Sequence, residues 1–370
     1  MNAFTYRRVV LEAVAYTLPE SIVTTEELED QLRPLYERLR LPEGRLELMT
    51  GIRERRFFAR NARVGEFSAQ TAQRLIDSSG IDPTEIGALV HGSVCRDFLE
   101  PATACGVHHT LGLPDDCAVY DLSNACLGQL TGLTQIADKI ELGQIHAGIV
   151  VGTENARELV ETTVRYLNTD RSLNRRSVKD AIASLTIGSA STAMLLVDES
   201  ISRSAGARRI RGGVIRANTR GCTLCQGDHQ RVADKTEHTE NECVTTTDGT
   251  LMWTDSTGLL EAGVATATAA FEPFLATVEW RRDQIDRTVC HQVGRAHTKR
   301  LFESLGLDPA IDLATFGFLG NTGSAALPVT LAMAMEGKAE PAVSIEANER
   351  IALLGIGSGI NSIMLGLDSH

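Results

Sequence analysis

Cys126, His291 and Asn321 are of the residue types that can break and make an acyl bond, and each stands where a strand pattern gives way to a turn. Cys126 follows the strand pattern at residues 119–122 and opens a helical one that runs to about Leu142. A cysteine there meets the positive end of a helix dipole and unpaired backbone N–H groups, so a lowered pKa and thiolate character are expected. The plainer alternative is a small buried core residue. His291 comes directly after the strand at 288–290, in Cys290-His291-Gln292-Val293-Gly294. Asn321 lies in the turn Gly320-Asn321-Thr322-Gly323, ahead of a helix at 327–335. Alone, each reads as a turn or cap residue. Together with Cys126 they supply a nucleophile, a proton-handling imidazole and a neutral amide donor. The run Gly355-Ile356-Gly357-Ser358-Gly359 looks superficially like a dinucleotide loop, but a strand pattern at 360–367 follows it rather than a helix. Such a turn also lets backbone amides approach a reacting carbonyl, as an oxyanion hole requires.

Other groups carry weaker signals. Cys222-x-x-Cys225, with His229, His238 and Cys243 beyond it, has one regular pair where structural zinc sites usually have two. A surface loop and no metal are expected there. Arginines gather at Arg53, Arg55, Arg56, Arg60 and Arg63, and again at Arg203, Arg208, Arg209 and Arg211. They fit a phosphate-bearing cofactor or an acidic carrier protein, and equally a solvated strand edge. Two polar stretches, 158–179 and 218–250, look inserted, as lids over a site or as surface loops.

Strands and helices in alternation must hold these residues in place. Residues 9–14 form an apolar strand pattern, followed by a helix with Thr24 as N-cap and Glu27 at capping-box spacing. Residues 67–78 read as a helix closed by Gly80, and 86–90 as a buried strand. Pro101 suits the first turn of a helix that ends near Gly112. Strands at 119–122 and 149–151 flank the Cys126 helix, which predicts a layered α/β fold with largely parallel sheets. The second half repeats the order. Leu305-Gly306-Leu307 matches Leu111-Gly112-Leu113, the turn 320–323 matches 123–126, and the strand 351–354 matches 149–151. The first two offsets are about 194–197 residues and the third is similar, which predicts a duplicated domain. Its halves would be 1–200 and 201–370, meeting at a pseudo-twofold centre beside Cys126 and Asn321.

Composition sets bounds on function. The 370 residues are 43% hydrophobic and 23% charged, with a net charge of −12, which suits about two globular domains and excludes a disordered or collagen-like chain. The acidic balance argues against a nucleic-acid partner. No apolar run approaches the ~18–20 residues of a membrane span, and the N-terminus lacks a signal-peptide core. Eight cysteines are too few for a disulfide scaffold at this length. A soluble, reduced, cytoplasmic protein is expected.

Several motifs together resemble the thiolase superfamily, in its ketoacyl synthase III branch. They are Asp121-Leu122-Ser123-Asn124-Ala125-Cys126-Leu127-Gly128, His291-Gln292-Val293, Gly320-Asn321-Thr322-Gly323-Ser324, Gly357-Ser358-Gly359 and Thr50-Gly51-Ile52-Arg53-Glu54-Arg55, in the family's order across roughly the whole chain. Arg96-Asp97-Phe98-Leu99-Glu100-Pro101, Leu224-Cys225-Gln226-Gly227 and residues 351–361 are similar to the olefin-pathway enzymes that join two acyl-CoA chains head to head. The resemblance implies a thiolase-like duplicated α/β/α/β/α layered fold and a homodimer. It implies an acyltransferase that forms a 2-alkyl-3-oxoacyl product by Claisen condensation through an acyl group on Cys126. The amides of Cys126 and Ser358 would form the oxyanion hole, and His291 and Asn321 would stabilise the enolate. Glu100 would act as a base across the dimer interface; its other reading is a helix N-terminal carboxylate. Coenzyme A thioesters would be substrates, with no tightly bound cofactor, and acyl carrier protein a further partner. Arg45 and Met49 stand where chain-initiating relatives carry a Trp and an Arg that grip the CoA adenine, so that grip is altered here. The alternative reaction is decarboxylative condensation with malonyl-acyl carrier protein, which the same Cys-His-Asn set serves without a base. Simple acyl transfer to an alcohol or amine is a third reading. A catalytically silent partner subunit is a fourth, though such a subunit would be expected to lose its nucleophile.

Overall fold

The computed structural model describes residues 2–233, 246–291 and 294–370. Its strands, in chain order, are β1 (Asn2–Thr5), β2 (Val9–Thr17), β3 (Ser21–Thr24), β4 (Glu54–Phe57), β5 (Ile86–Gly92), β6 (Ala118–Leu122), β7 (Ala147–Glu154), β8 (Ala190–Asp198), β9 (Arg208–Ala217), β10 (Cys225–Ala233), β11 (Thr246–Thr254), β12 (Arg287–Cys290), β13 (Asp312–Leu313), β14 (Ile351–Gly357) and β15 (Asn361–Ser369). Ten of them form one path, β13-β12-β14-β15-β9-β2-β8-β7-β5-β6. Read outward from the centre, β2-β8-β7-β5-β6 and β9-β15-β14-β12-β13 follow the same course. Each half places its first strand innermost, then its fifth, fourth, second and third.

The sheet is mixed, which corrects the expectation of largely parallel strands. β5 pairs parallel with β6 and β7, and β12 with β13 and β14, where helices make the crossovers. β7 runs antiparallel to β8, and β14 to β15, which follows directly through the 358–360 turn. Pair direction is set by these connections, which strand composition does not encode.

Side-chain alternation builds the layers. Leu89 and Ile149 face one outer core, while their neighbours Val90 and Val150 face the inner one. In the other half, Leu353 faces inward and Leu354 outward. The inner core holds the helices Gly128–Glu141 and Ala326–Met335, through Leu130, Leu133, Ile136, Leu327 and Leu331. Helices Val64–Ser79 and Thr103–Leu111 cover one outside face, and Ser256–Val278 and Arg295–Leu305 the other. The result is five layers, α/β/α/β/α. Each fully buried Leu or Ile contributes about 1.5–3 kcal/mol, so the inner core, which both halves share, holds them together.

Local signals appear where the sequence places them. Thr24 Oγ1 accepts the Glu27 N–H at 3.1 Å while Glu27 Oε2 accepts the Thr24 N–H at 2.8 Å. Gly80, Gly112 and Gly306 all end their helices in the left-handed conformation that favours glycine. Gly112 (φ 62°, ψ 37°) and Gly306 (φ 63°, ψ 37°) share one geometry. Pro101 is displaced from its expected place: the helix begins at Thr103, and Pro101 lies in the loop before it. Ser256–Val278 also differs from expectation, being a 23-residue helix apolar enough by length and composition to cross a membrane. Its Ala267, Phe271 and Phe274 pack into an outer core. Alanine and threonine break up its apolar run, which hides it from a search for bulky residues.

Candidate active site

Cys126 lies in a short 3-10 turn, Ala125–Leu127, that leads from β6 into the helix Gly128–Glu141. The turn can sit on the end of β5 because Gly92 and Gly128 have no side chains. A Cβ on Gly92 would fall 2.7 Å from the carbonyl carbon and oxygen of Gly128. From the other half, the end of β14 closes over the same turn. A Cβ on Gly357 would lie 3.1 Å from Leu127 Cγ and 3.6 Å from the Cys126 nitrogen. This approach brings the Ser358 amide to Cys126, and the backbone amides of Cys126 and Ser358 both favour the thiolate.

The electrostatics correct one expectation. Burial first, then the Glu154 carboxylate and the Cys225 thiol, push the Cys126 thiol up to about 12, against a smaller pull from the two amides. Desolvation exceeds the helix-end effect because the turn is roofed by β14. The nucleophile therefore rests as a thiol, and its proton must be taken at the moment of attack.

His291 is the first residue after β12, held by its N–H on the Leu354 carbonyl at 3.1 Å. Its ring is buried, and burial, followed by the nearby His297, lowers its pKa to about 4. The imidazole is neutral near pH 7, able to accept a proton at one nitrogen and donate from the other. Neither ring nitrogen has a partner among the described residues. Asn321 is anchored by its N–H on the Thr186 carbonyl at 2.8 Å and by its own carbonyl on the Gly188 N–H at 2.9 Å. Its Oδ1 accepts the Gly323 N–H at 3.0 Å, which leaves the NH2 end of the amide to face a ligand.

The turn after Asn321 repeats the nucleophile turn. Ala125 (φ 46°) and Gly323 (φ 58°) each open a 3-10 turn with positive φ and lead into an inner helix. This backbone match sets Cys126 opposite Ser324, one residue on from the correspondence read in the sequence.

Glu100 is not among these residues. It is exposed on the loop after β5, beside Val94, Phe98 and Leu99, which are 58%, 49% and 103% exposed. Cys222 is exposed, and Cys225 Sγ accepts from Thr254 Oγ1 at 3.5 Å. No group of three or more metal-ligating side chains occurs among the described residues; His238, Cys243, Gln292 and Val293 lie outside them.

The arginine clusters are engaged in the fold. Arg208 caps the carbonyls of Glu346, Ala347 and Glu349, while Arg209 pairs with Glu199 and Arg53 with Glu340. Arg55 is fully buried, and burial lowers its pKa to about 10. The stretch 158–179 is largely helix, in Arg157–Thr169, and 218–250 runs into the hairpin β10–β11. The two meet where Thr250 Oγ1 donates to Glu158 Oε1 at 3.4 Å.

Sequence reasoning missed Glu154. It ends β7 with its side chain buried, accepting hydrogen bonds from both sides of the site. Its one signal is a charged residue closing a strand that is otherwise apolar or small.

Residues 47–210 match the thiolase N-terminal domain, and residues 275–365 match the 3-oxoacyl-[acyl-carrier-protein] synthase III C-terminal domain. An acyl-CoA:acyl-CoA alkyltransferase of Shewanella oneidensis is 38% identical over 364 residues, covering 98% of this chain and 99% of that protein. The chain belongs to the thiolase-like ketoacyl synthase III family. Within this family, an acyl-CoA:acyl-CoA alkyltransferase of Xanthomonas campestris is 31% identical over 97% of this chain and 98% of its own length. The family fold is shared with Xanthomonas campestris OleA, solved as a cysteine-to-serine variant with bound lauric acid and lauroyl-CoA. It superposes with a TM-score of 0.86 at 30% identity, covering 98% and 99% of the two chains. The 3-oxoacyl-(acyl carrier protein) synthase III of Xanthomonas oryzae superposes equally well, at 0.86 and 31% identity over 99% and 100%. Like these relatives, the chain is an acyltransferase of the condensing type.

Proposed function

We propose that this enzyme joins two fatty acyl-CoA molecules head to head, with Cys126 carrying the first acyl group. The observation that supports the chemistry is the half-buried Cys126 at the start of an inner helix, beside the Ser358 amide, together with two buried neutral donors, His291 at the end of β12 and Asn321 in the turn after the helix Phe316–Leu319. His291 takes the thiol proton as Cys126 Sγ attacks the thioester carbonyl. The amides of Cys126 and Ser358 hold the tetrahedral oxyanion, each worth roughly 2.7–4 kcal/mol in comparable sites. CoA leaves with the proton returned from His291. A second acyl-CoA then sets its carbonyl oxygen against His291 and Asn321. Loss of a proton from its α-carbon gives an enolate, which attacks the acyl carbonyl on Cys126. The carbon–sulfur bond breaks, the thiol regains a proton, and a 2-alkyl-3-oxoacyl-CoA departs.

The α-proton is weakly acidic, so its removal needs a base in a dry site. Glu100 is that base in this reading, delivered from a second copy of the chain. Leu99 and Phe98 give the loop an apolar surface that a homodimer contact would bury. The halves 1–200 and 201–370 are read as copies, supported by the repeated strand order. The same reading places the enzyme in the cytoplasm, with CoA thioesters as substrates and no resident cofactor.

A cleft of about 480 Å³ has Leu35, Leu46 and Leu167 on its wall and Arg45, Arg175, Arg176 and Lys179 around it. It suits the phosphates of CoA, with Arg45 and Met49 replacing the adenine grip of chain-initiating relatives. Arg176 and Lys179 are exposed. Replacing both with alanine is expected to raise KM for acyl-CoA about tenfold, roughly 1.4 kcal/mol of binding, with kcat little changed. Steady-state kinetics checks this, and an unchanged KM would place the CoA phosphates elsewhere.

The reaction itself is tested by incubating the enzyme with a long-chain acyl-CoA alone, and with acyl-CoA plus malonyl-acyl carrier protein. A 3-oxoacyl product carrying both chains should form without malonyl. Product only with malonyl would assign the decarboxylative reaction instead.

A further inference from the structure

Glu154 closes β7 between two loops far apart in sequence. Its Oε1 accepts the Val94 N–H at 3.0 Å, and its Oε2 accepts the Cys95 N–H at 3.3 Å. Those amides begin the loop that ends in Glu100. On its other side, Oε1 accepts the Ser324 N–H at 3.3 Å and the Ser324 hydroxyl at 2.5 Å. Ser324 follows Asn321 by one short turn, and in the repeated backbone it stands where the other half carries Cys126. The contact is close: a Cβ on Gly323 would fall 3.1 Å from Glu154 Cγ. A buried carboxylate is costly unless its oxygens are satisfied, and here four donors from two loops satisfy it.

We infer that Glu154 is a positioning residue for the condensation step, clamping the Asn321 turn to the loop that carries Glu100. The inference rests on the two-chain condensation proposed above and adds a residue to it. Acyl transfer to Cys126 uses the amides of Cys126 and Ser358, which Glu154 does not touch. Condensation uses the Asn321 amide and the base, and Glu154 ties both of their loops. Gln at this position keeps the shape but turns an NH2 donor toward N–H groups, so one side of the clamp opens.

The carboxylate has a second, separable effect, because its charge helps to keep the Cys126 thiol protonated. The sign follows directly. Removing a negative charge near a thiol favours the thiolate, so the pH midpoint for alkylation of Cys126 should move down in Glu154→Gln. Ser324→Ala removes one donor from the clamp and leaves the charge in place.

The test uses the full chain as wild type, Glu154→Gln and Ser324→Ala. Acylation of Cys126 is followed by intact mass, condensation by product formed from the pre-acylated enzyme, and alkylation of Cys126 by peptide mass across pH. In both variants condensation should fall more than acylation, for Glu154→Gln by about 10²-fold, the scale expected of a misplacement near 1 Å. The alkylation midpoint should move only in Glu154→Gln. Equal losses in both steps would overturn the inference, whereas an alkylation midpoint that stays put in Glu154→Gln would overturn only the charge effect on the thiol. Should Glu154→Gln fail to fold, the ratio of the two steps in Ser324→Ala decides it. If wild type gives no two-chain product, the proposed reaction fails instead, and the alkylation profile still reports on Glu154.

Discussion

Cys126→Ser is expected to form no acyl adduct when incubated with acyl-CoA, and condensation to fall by about 10⁴–10⁶-fold, the scale on which enzymes lose turnover with their covalent nucleophile. Serine fits the same turn and leaves the amides of Cys126 and Ser358 in place, so binding of acyl-CoA survives. What is lost is ionisation. The thiol already sits at about 12 through burial and the Glu154 charge. A hydroxyl in that place is far harder to ionise, and the neutral His291 cannot make up the difference. Intact-mass measurement reads the adduct directly. An adduct that persists in Cys126→Ser would remove Cys126 from the mechanism, and the other free cysteines would become the candidates.

Glu100→Ala separates the two halves of the reaction. Acylation of Cys126 should proceed at the wild-type rate, because no proton on carbon is moved in that step. Condensation should fall by about 10²–10⁴-fold, the range for loss of a general base. The geometry adds a sharper expectation. Glu100 is exposed on its own chain, and in the proposed homodimer it serves the neighbouring copy. Mixed dimers of Glu100→Ala with Cys126→Ser should then regain condensation. One site in each combines the intact Cys126 of one chain with the intact Glu100 of the other. Single-turnover rates on each variant and on the mixture check both statements. Unimpaired condensation in Glu100→Ala would remove Glu100 from the mechanism.

Much of the site was legible because strand ends and turns leave local marks. Cys126, His291 and Asn321 each follow a short apolar run and stand at or just after a turn, and those marks survive without neighbours. The repeat was legible for the same reason, since Gly112 and Gly306 punctuate matched helices with one backbone geometry. What the sequence does not carry is whatever depends on distant chain. The thiol pKa of Cys126 went the other way because β14, more than 200 residues on, buries it. Glu154 was missed because its partners lie 60 and 170 residues away, where no periodicity reaches. Of the arginines read either as a phosphate or carrier site or as a solvated strand edge, Arg53, Arg208 and Arg209 are fastened to carbonyls and carboxylates that only the folded chain brings near.

The central claim is that the acyl group on Cys126 is the electrophile for a second, unactivated acyl thioester. It is tested by loading the wild-type enzyme with lauroyl groups, removing free lauroyl-CoA, adding myristoyl-CoA with no malonyl thioester, and weighing both product and protein. The account predicts a mixed-chain 3-oxoacyl-CoA with the lauroyl carbon skeleton on the ketone side, and the protein returned to its unacylated mass. A lauroyl adduct that stays in place, or that leaves only as free acid or as lauroyl-CoA, would contradict it.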